Sequence, residues 1–354
     1  MAPFLRDRFD LTLGQAGVLI SASFAGSVVT LIPLGLLADR LGERPVLVVG
    51  VGLCGIALLG ASEAHGFWPL LTLLMLAGLS GASVQSASGR AVMAWFPAAQ
   101  RGLALGIRQT AIPIGGFATA VALPPIVRAG GVGWGFGTMG AACLVSAAVA
   151  GIVLREGPRP AAGSELEIAP LRDRRIWRMS VGSALVLAPQ MCVVGFTVLF
   201  LHEQRGLSES AAAAVLAVVQ ALGIVARISA GRISDVRGSR LGPLRAISIA
   251  ITVLVLVTAV LLRAPLALLL PSLVVACVLS MSWNGFSFAA AAELAGHARS
   301  GAAIGLQQTL LNGSGAVYPG LFGVLVGATS YGWGFAAVAL FPLAGWRVLR
   351  ALPG

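Results

Sequence analysis

Apolar runs of roughly membrane-spanning length, separated by short polar turns, fill most of the chain. They cover about 15–38, 45–61, 68–95, 101–123 and 132–154, then 177–201, 211–234, 243–262, 266–292, 300–327 and 332–349. A helix of about 17–25 apolar residues crosses a bilayer, and only a helix or a closed barrel satisfies its own backbone there. The runs are too long for strands. The pattern predicts an all-α polytopic membrane protein with eleven transmembrane helices.

Composition agrees: 57% of the 354 residues are apolar, 10% are charged and mean hydropathy is +0.92. The net charge of +11 comes entirely from Arg among the basic side chains, spread over alternate turns rather than gathered into a nucleic-acid face. Cys54, Cys143, Cys192 and Cys277 stand singly in apolar runs, without zinc or redox spacing. No Ser/His/acid set, metal cluster or phosphate loop can be assembled. The chain therefore reads as neither an enzyme nor a cofactor carrier.

A long internal repeat organises the runs. Shifted by 199, Arg101-Gly102-Leu103-Ala104-Leu105-Gly106-Ile107-Arg108-Gln109-Thr110 falls on Ser300-Gly301-Ala302-Ala303-Ile304-Gly305-Leu306-Gln307-Gln308-Thr309. Shifted by 196, the turn Gly35-Leu36-Leu37-Ala38-Asp39-Arg40-Leu41-Gly42-Glu43-Arg44 falls on Gly231-Arg232-Ile233-Ser234-Asp235-Val236-Arg237-Gly238. The same shift places the partner of the 177–201 run before Met1. The sequence is therefore expected to lack a first helix, and a start assigned too late is the favoured reason.

These two turns resemble the loop signature of the major facilitator superfamily, between helices two and three and again between helices eight and nine. The resemblance implies two parallel-repeat bundles rocking about a midplane site. The expected domains are a bundle at 1–154 with five visible helices, a Pro/Gly/Ala-rich cytoplasmic linker at 155–176, and a six-helix bundle at 177–354. It also implies a gate at the cytoplasmic ends. That gate would comprise Gly35, Asp39, Arg40, Gly42 and Arg44, with Gly231, Asp235 and Arg237 in the second copy, and Arg90 and Glu293 closing the fourth and tenth spans. Most Arg then face the cytoplasm, including Arg159 of the linker, and only Arg6, Arg8, Arg128, Arg205 and Arg263 stand outside. The expected protein is a monomer in a bacterial inner membrane, multi-pass among lipid, with a cytoplasmic C-terminus.

Ionisable side chains within a span are expensive and mark candidate sites. Arg227 lies eight residues before Asp235, roughly 12 Å into the span, on one face with Gln220, Gly223, Gly231 and Ser234. Arg108 lies about 10 Å into its span, followed by Gln109. Gln85, Asn284, Gln308 and Asn312 are further polar candidates for a substrate cavity. No visible span carries an acid near its middle, so a small organic or inorganic anion is the expected substrate. Ala226-Arg227 with Gly231-Arg232-Ile233-Ser234-Asp235 resembles the eighth helix of nitrate, oxalate and monocarboxylate carriers. The second Arg of nitrate carriers is replaced here by Leu31. Proton-coupled drug efflux, and a transport-inactive receptor or scaffold, are the alternative functions.

Overall fold

The computed structural model describes residues 13–155, 169–296 and 299–352. Nearly all of these are helical, and no strand occurs among them. The expected positions of Arg6, Arg8 and Arg159, and of most of the 155–176 linker, lie outside the described residues.

The first helices are α1 (Leu13–Leu41), α2 (Glu43–Ser62), α3 (Phe67–Gly81), α4 (Ser83–Trp95), α5 (Arg101–Gln109) and α6 (Ala111–Val153). There follow α7 (Arg174–Pro189), a π turn at Gln190–Val194, α8 (Gly195–Glu203), α9 (Glu209–Val236) and α10 (Leu241–Leu261). The last are α11 (Leu266–Ser282), α12 (Asn284–Ala295), α13 (Ser300–Ala328) and α14 (Tyr331–Arg350). Ten segments among the described residues are long and apolar enough to cross a membrane. The predicted fifth span is α5 plus the start of α6, which turns at Gly131, where φ is 78°.

Three predicted spans are interrupted rather than continuous. The 68–95 run breaks at Ala82, the 101–123 run at Thr110 and the 266–292 run at Trp283. The 177–201 run instead passes through the π turn just after Pro189. Proline has no N–H and its ring presses on the carbonyl four residues back, which loosens the helical ladder there.

Packing divides the described chain into two compact units, the first made from Met1–Trp95, Ile114–Arg172 and Ala295–Thr309. The second is made from Phe96–Pro113, Asp173–Leu294 and Leu310–Gly354. In the first, α3 packs against α1 and α2 over a core of Leu19, Leu58, Leu70, Leu74 and Phe136. Its α2 and α6 cross backbone to backbone at Gly55 and Gly140, as small residues permit in lipid. In the second, α9 packs on α5 and α11, and α14 on α7 and α10. An aromatic layer joins Phe200, Phe322 and Phe335, with Phe200 and Phe335 ring centres 5.7 Å apart.

Candidate functional site

The two repeated turns fold alike. Gly42 and Gly238, one repeat apart, both hold a positive φ, 91° and 61°, a conformation that glycine adopts without steric cost. Just before each, a carboxylate caps a helix start. Asp39 accepts from the Gly301 and Ala302 N–H groups at 2.9 and 2.8 Å. Asp235 accepts from Gly102 and Leu103 at 2.9 and 2.7 Å. The first N–H groups of a helix have no partner within it and carry the positive end of the helix dipole. An aspartate placed there satisfies both.

Glycines allow this approach. A Cβ on Gly35 would lie 2.4 Å from the Gly301 carbonyl oxygen, and one on Gly231 would lie 2.3 Å from that of Gly102. One turn further on, Gly305 meets the Leu31 carbonyl and Gly106 meets that of Arg227. Each clamp is thus two small-residue contacts and one bidentate carboxylate cap, and the arrangement is built twice.

The ion pairs around the clamps are inverted between copies. In the first unit the base comes from α4: Arg90 Nη1 bonds to Glu43 at the start of α2, and its Nε lies 3.3 Å from Asp39 Oδ1, an ion pair without hydrogen-bond geometry. In the second the acid comes from α12: Arg240, following the turn, binds Asp235 and sits 3.2 Å from Glu293. Arg240 also donates to the Ala98 carbonyl. Arg90 and Glu43 are buried, whereas Glu293 is partly exposed. Of the other expected gate residues, Arg44 donates to the Gly151 carbonyl on α6. Arg40 and Arg237 are exposed.

Arg227 is 3% exposed and joins three helices. Its Nη1 donates to the Gln109 carbonyl at 2.8 Å and its Nε to the Met281 carbonyl at 2.9 Å. Gln109 immediately precedes the break at Thr110, and Met281 lies two residues before the break at Trp283. Pro113, four residues after Gln109, has no N–H to offer that carbonyl. At the other break Ser282 Oγ takes Leu279 O, Trp283 Nε1 takes Ser280 O, and Asn284 Nδ2 shares Met281 O with Arg227. Among the described residues no carboxylate pairs with Arg227. Its guanidinium has five N–H donors, and only two of them are engaged.

Arg227, Gln109 and Asn284 therefore meet, and Gln190 joins them by accepting from Asn284 Nδ2 at 3.2 Å. Gln190 opens the π turn. Two turns before Arg227 on the same face, Gln220 has a buried Oε1 without a hydrogen-bond partner among the described residues. Arg108, half-buried, lies in the last turn of α5, one residue before Gln109. Asn312 lies in the same unit on α13, whereas Gln85 and Gln308 belong to the first unit. Gln190, Glu43 and Arg240 were not among the expected site residues. Pro189 was the available signal for the first. For the other two, charge within one turn of the repeated Asp was the signal.

The sequence matches the family profile of the Major Facilitator Superfamily over residues 1–319. It is 34% identical over 348 residues to the uncharacterized MFS-type transporter MT3072 of Mycobacterium tuberculosis, covering 97% of this chain and 78% of that protein. It is 25% identical over 354 residues to the probable sulfoacetate transporter SauU of Cupriavidus necator, covering 93% of this chain and 82% of SauU. The fold matches that of FucP, a superfamily transporter solved in its outward conformation, with TM-score 0.79 at 16% identity, over 98% of this chain and 92% of that one. With repeated glycine-and-aspartate clamps in a helical membrane fold and a profile match over most of its length, this chain belongs to the Major Facilitator Superfamily of transporters.

Proposed function

We propose that the protein is a secondary transporter of small organic anions, with Arg227 as the counter-charge of the substrate. The observation that carries this reading is the buried Arg227 guanidinium, held by two carbonyls and, among the described residues, without a carboxylate partner and with donors to spare. Positive charge in an apolar surround is costly unless neutralised, and an arginine fork suits a carboxylate or sulfonate. Gln220, Gln190 and Asn284 would supply neutral hydrogen bonds beside it, with Arg108 and Asn312 of the same unit as further candidates. SauU, named for sulfoacetate transport, supports the same substrate class.

In this reading two halves, about 1–154 and 177–354, rock about the site, joined by the 155–176 linker. Each clamp ties the end of a helix in one half to the start of a helix in the other. Opening on the hinge side breaks the Asp39 and Asp235 caps together. The hinges and the C-terminus face the cytoplasm, as the positive-inside rule requires.

The test is ligand-induced stabilisation of the purified full chain by a panel of small carboxylates and sulfonates, each beside its neutral amide or alcohol. At least one anion raises the melting temperature of the wild type and loses that effect in Arg227→Gln. Stabilisation by neutral analogues alone, or an anion response unchanged in Arg227→Gln, overturns the proposal.

A further inference from the structure

The end of the second unit opposite the hinges holds a cleft of about 580 Å³ between α8, α10 and the start of α14. It is polar at its mouth and apolar along its wall. Arg205, Arg263 and Tyr331 line the mouth, while Leu256, Val260 and Trp333 line the wall. Val260 is 83% exposed and Trp333 69% exposed, so the wall opens to the surroundings of the helices.

The two arginines there are not explained by the charge bias that sets topology. Loops at the hinge end are rich in Arg, as that bias predicts; loops at this end are not. Of the described arginines expected at this end, Arg128, Arg205 and Arg263, two line one cleft. Arg205 is fixed, donating to the Leu262 and Ala264 carbonyls at 2.7 and 2.6 Å. Those bonds pin the turn that carries Arg263. Arg263 is itself exposed and makes no hydrogen bond or ion pair among the described residues. Glu203, two residues before Arg205, is not part of the lining, although its charge acts on Tyr331.

We infer that this cleft seats an anionic phospholipid, its phosphate on Arg263 beside the Tyr331 hydroxyl and its acyl chains along Val260, Leu256 and Trp333. A basic mouth with Tyr331 beside it, above an apolar wall that includes Trp333, matches the amphipathic shape of a phospholipid. A soluble anion would have no use for the wall.

The test uses the purified full chain in nanodiscs of phosphatidylcholine and phosphatidylglycerol in equal amounts, with the lipid retained after detergent extraction read by native mass spectrometry. The wild type retains phosphatidylglycerol over phosphatidylcholine, and Arg263→Gln lowers that preference about fivefold. Trp333→Ala lowers retention of both lipids, and Arg128→Gln, outside the cleft, changes neither. Equal retention of the two lipids by the wild type, or a preference unchanged in Arg263→Gln, overturns the inference. Displacement of the lipid by free glycerol phosphate at equal concentration also overturns it, because the cleft would then be a soluble-anion site. None of these readouts depends on Arg227 or on transport.

Discussion

Pro113 and Arg227 are a matched pair: the proline withholds the N–H that would bond the Gln109 carbonyl, and Arg227 Nη1 supplies one at 2.8 Å. The other copy of the repeat has neither. Asn312 stands where Pro113 would fall and Leu31 where Arg227 would fall, and α13 runs unbroken from Ser300 to Ala328. The helix break and the cation that satisfies it thus occur together in one copy and are both absent from the equivalent positions of the other.

The pair is expected to behave as a thermodynamic unit. Arg227→Leu alone removes two charge-assisted bonds to buried carbonyls and costs about 2 kcal/mol. With Pro113→Ala already present the backbone can donate to Gln109, and the cost of Arg227→Leu falls by about 1 kcal/mol. Unfolding of the four variants in mixed micelles measures the coupling. Strict additivity would show that the two residues act separately.

Asp39→Ala and Asp235→Ala are each expected to release two helix-start N–H groups, at about 0.5–2 kcal/mol per cap. Hydrogen exchange reports this directly: in Asp39→Ala the Gly301 and Ala302 amides exchange faster, and in Asp235→Ala those of Gly102 and Leu103 do. Because opening breaks both caps together, the other clamp's amides also exchange faster, by a smaller factor. Asn at either position keeps an acceptor and shows a smaller change.

Gly301→Ala drives a methyl group into the Gly35 carbonyl and the Asp39 carboxylate, at 2.6 and 2.7 Å. Overpacking of this kind costs about 1–3 kcal/mol. Gly52→Ala is the control, because its nearest neighbour is 4.0 Å away and belongs to a side chain. Melting temperature should fall in the first and hold in the second.

Removing Arg90 alone takes the guanidinium away from the buried Glu43 carboxylate. Arg90→Leu is therefore expected to cost about 3–5 kcal/mol, and Arg90→Leu with Glu43→Leu to recover much of it. Arg240→Leu costs less, because Asp235 keeps two backbone donors and Glu293 is partly exposed. Denaturant midpoints of the three variants rank the effects.

The architecture was legible in the sequence because lipid imposes a simple length rule and duplication wrote the hinge twice. The shifts of 196 and 199 paired Gly35 with Gly231 and Gly102 with Gly301 before any contact was known, and these glycines are where the clamps close. The helix breaks were not legible: Ala82, Thr110 and Trp283 lie inside runs long enough to pass as single spans. Pairing of Glu43 with Arg90 and of Arg240 with Glu293 depends on how each helix is rotated, which a one-dimensional pattern does not fix. Arg227 stood out by its depth in the span. Its tie to Gln109 and Met281 depended on breaks that could not be read.

Counterflow in proteoliposomes tests the central claim most directly. Vesicles holding the purified full chain are loaded with the small carboxylate or sulfonate that stabilises it best, and uptake of labelled anion is followed in wild type, Arg227→Lys and Arg227→Gln. Saturable uptake by the wild type, weakened in Arg227→Lys and lost in Arg227→Gln while the variant keeps its fold, is the predicted result. Equal uptake by the wild type and Arg227→Gln would contradict the account.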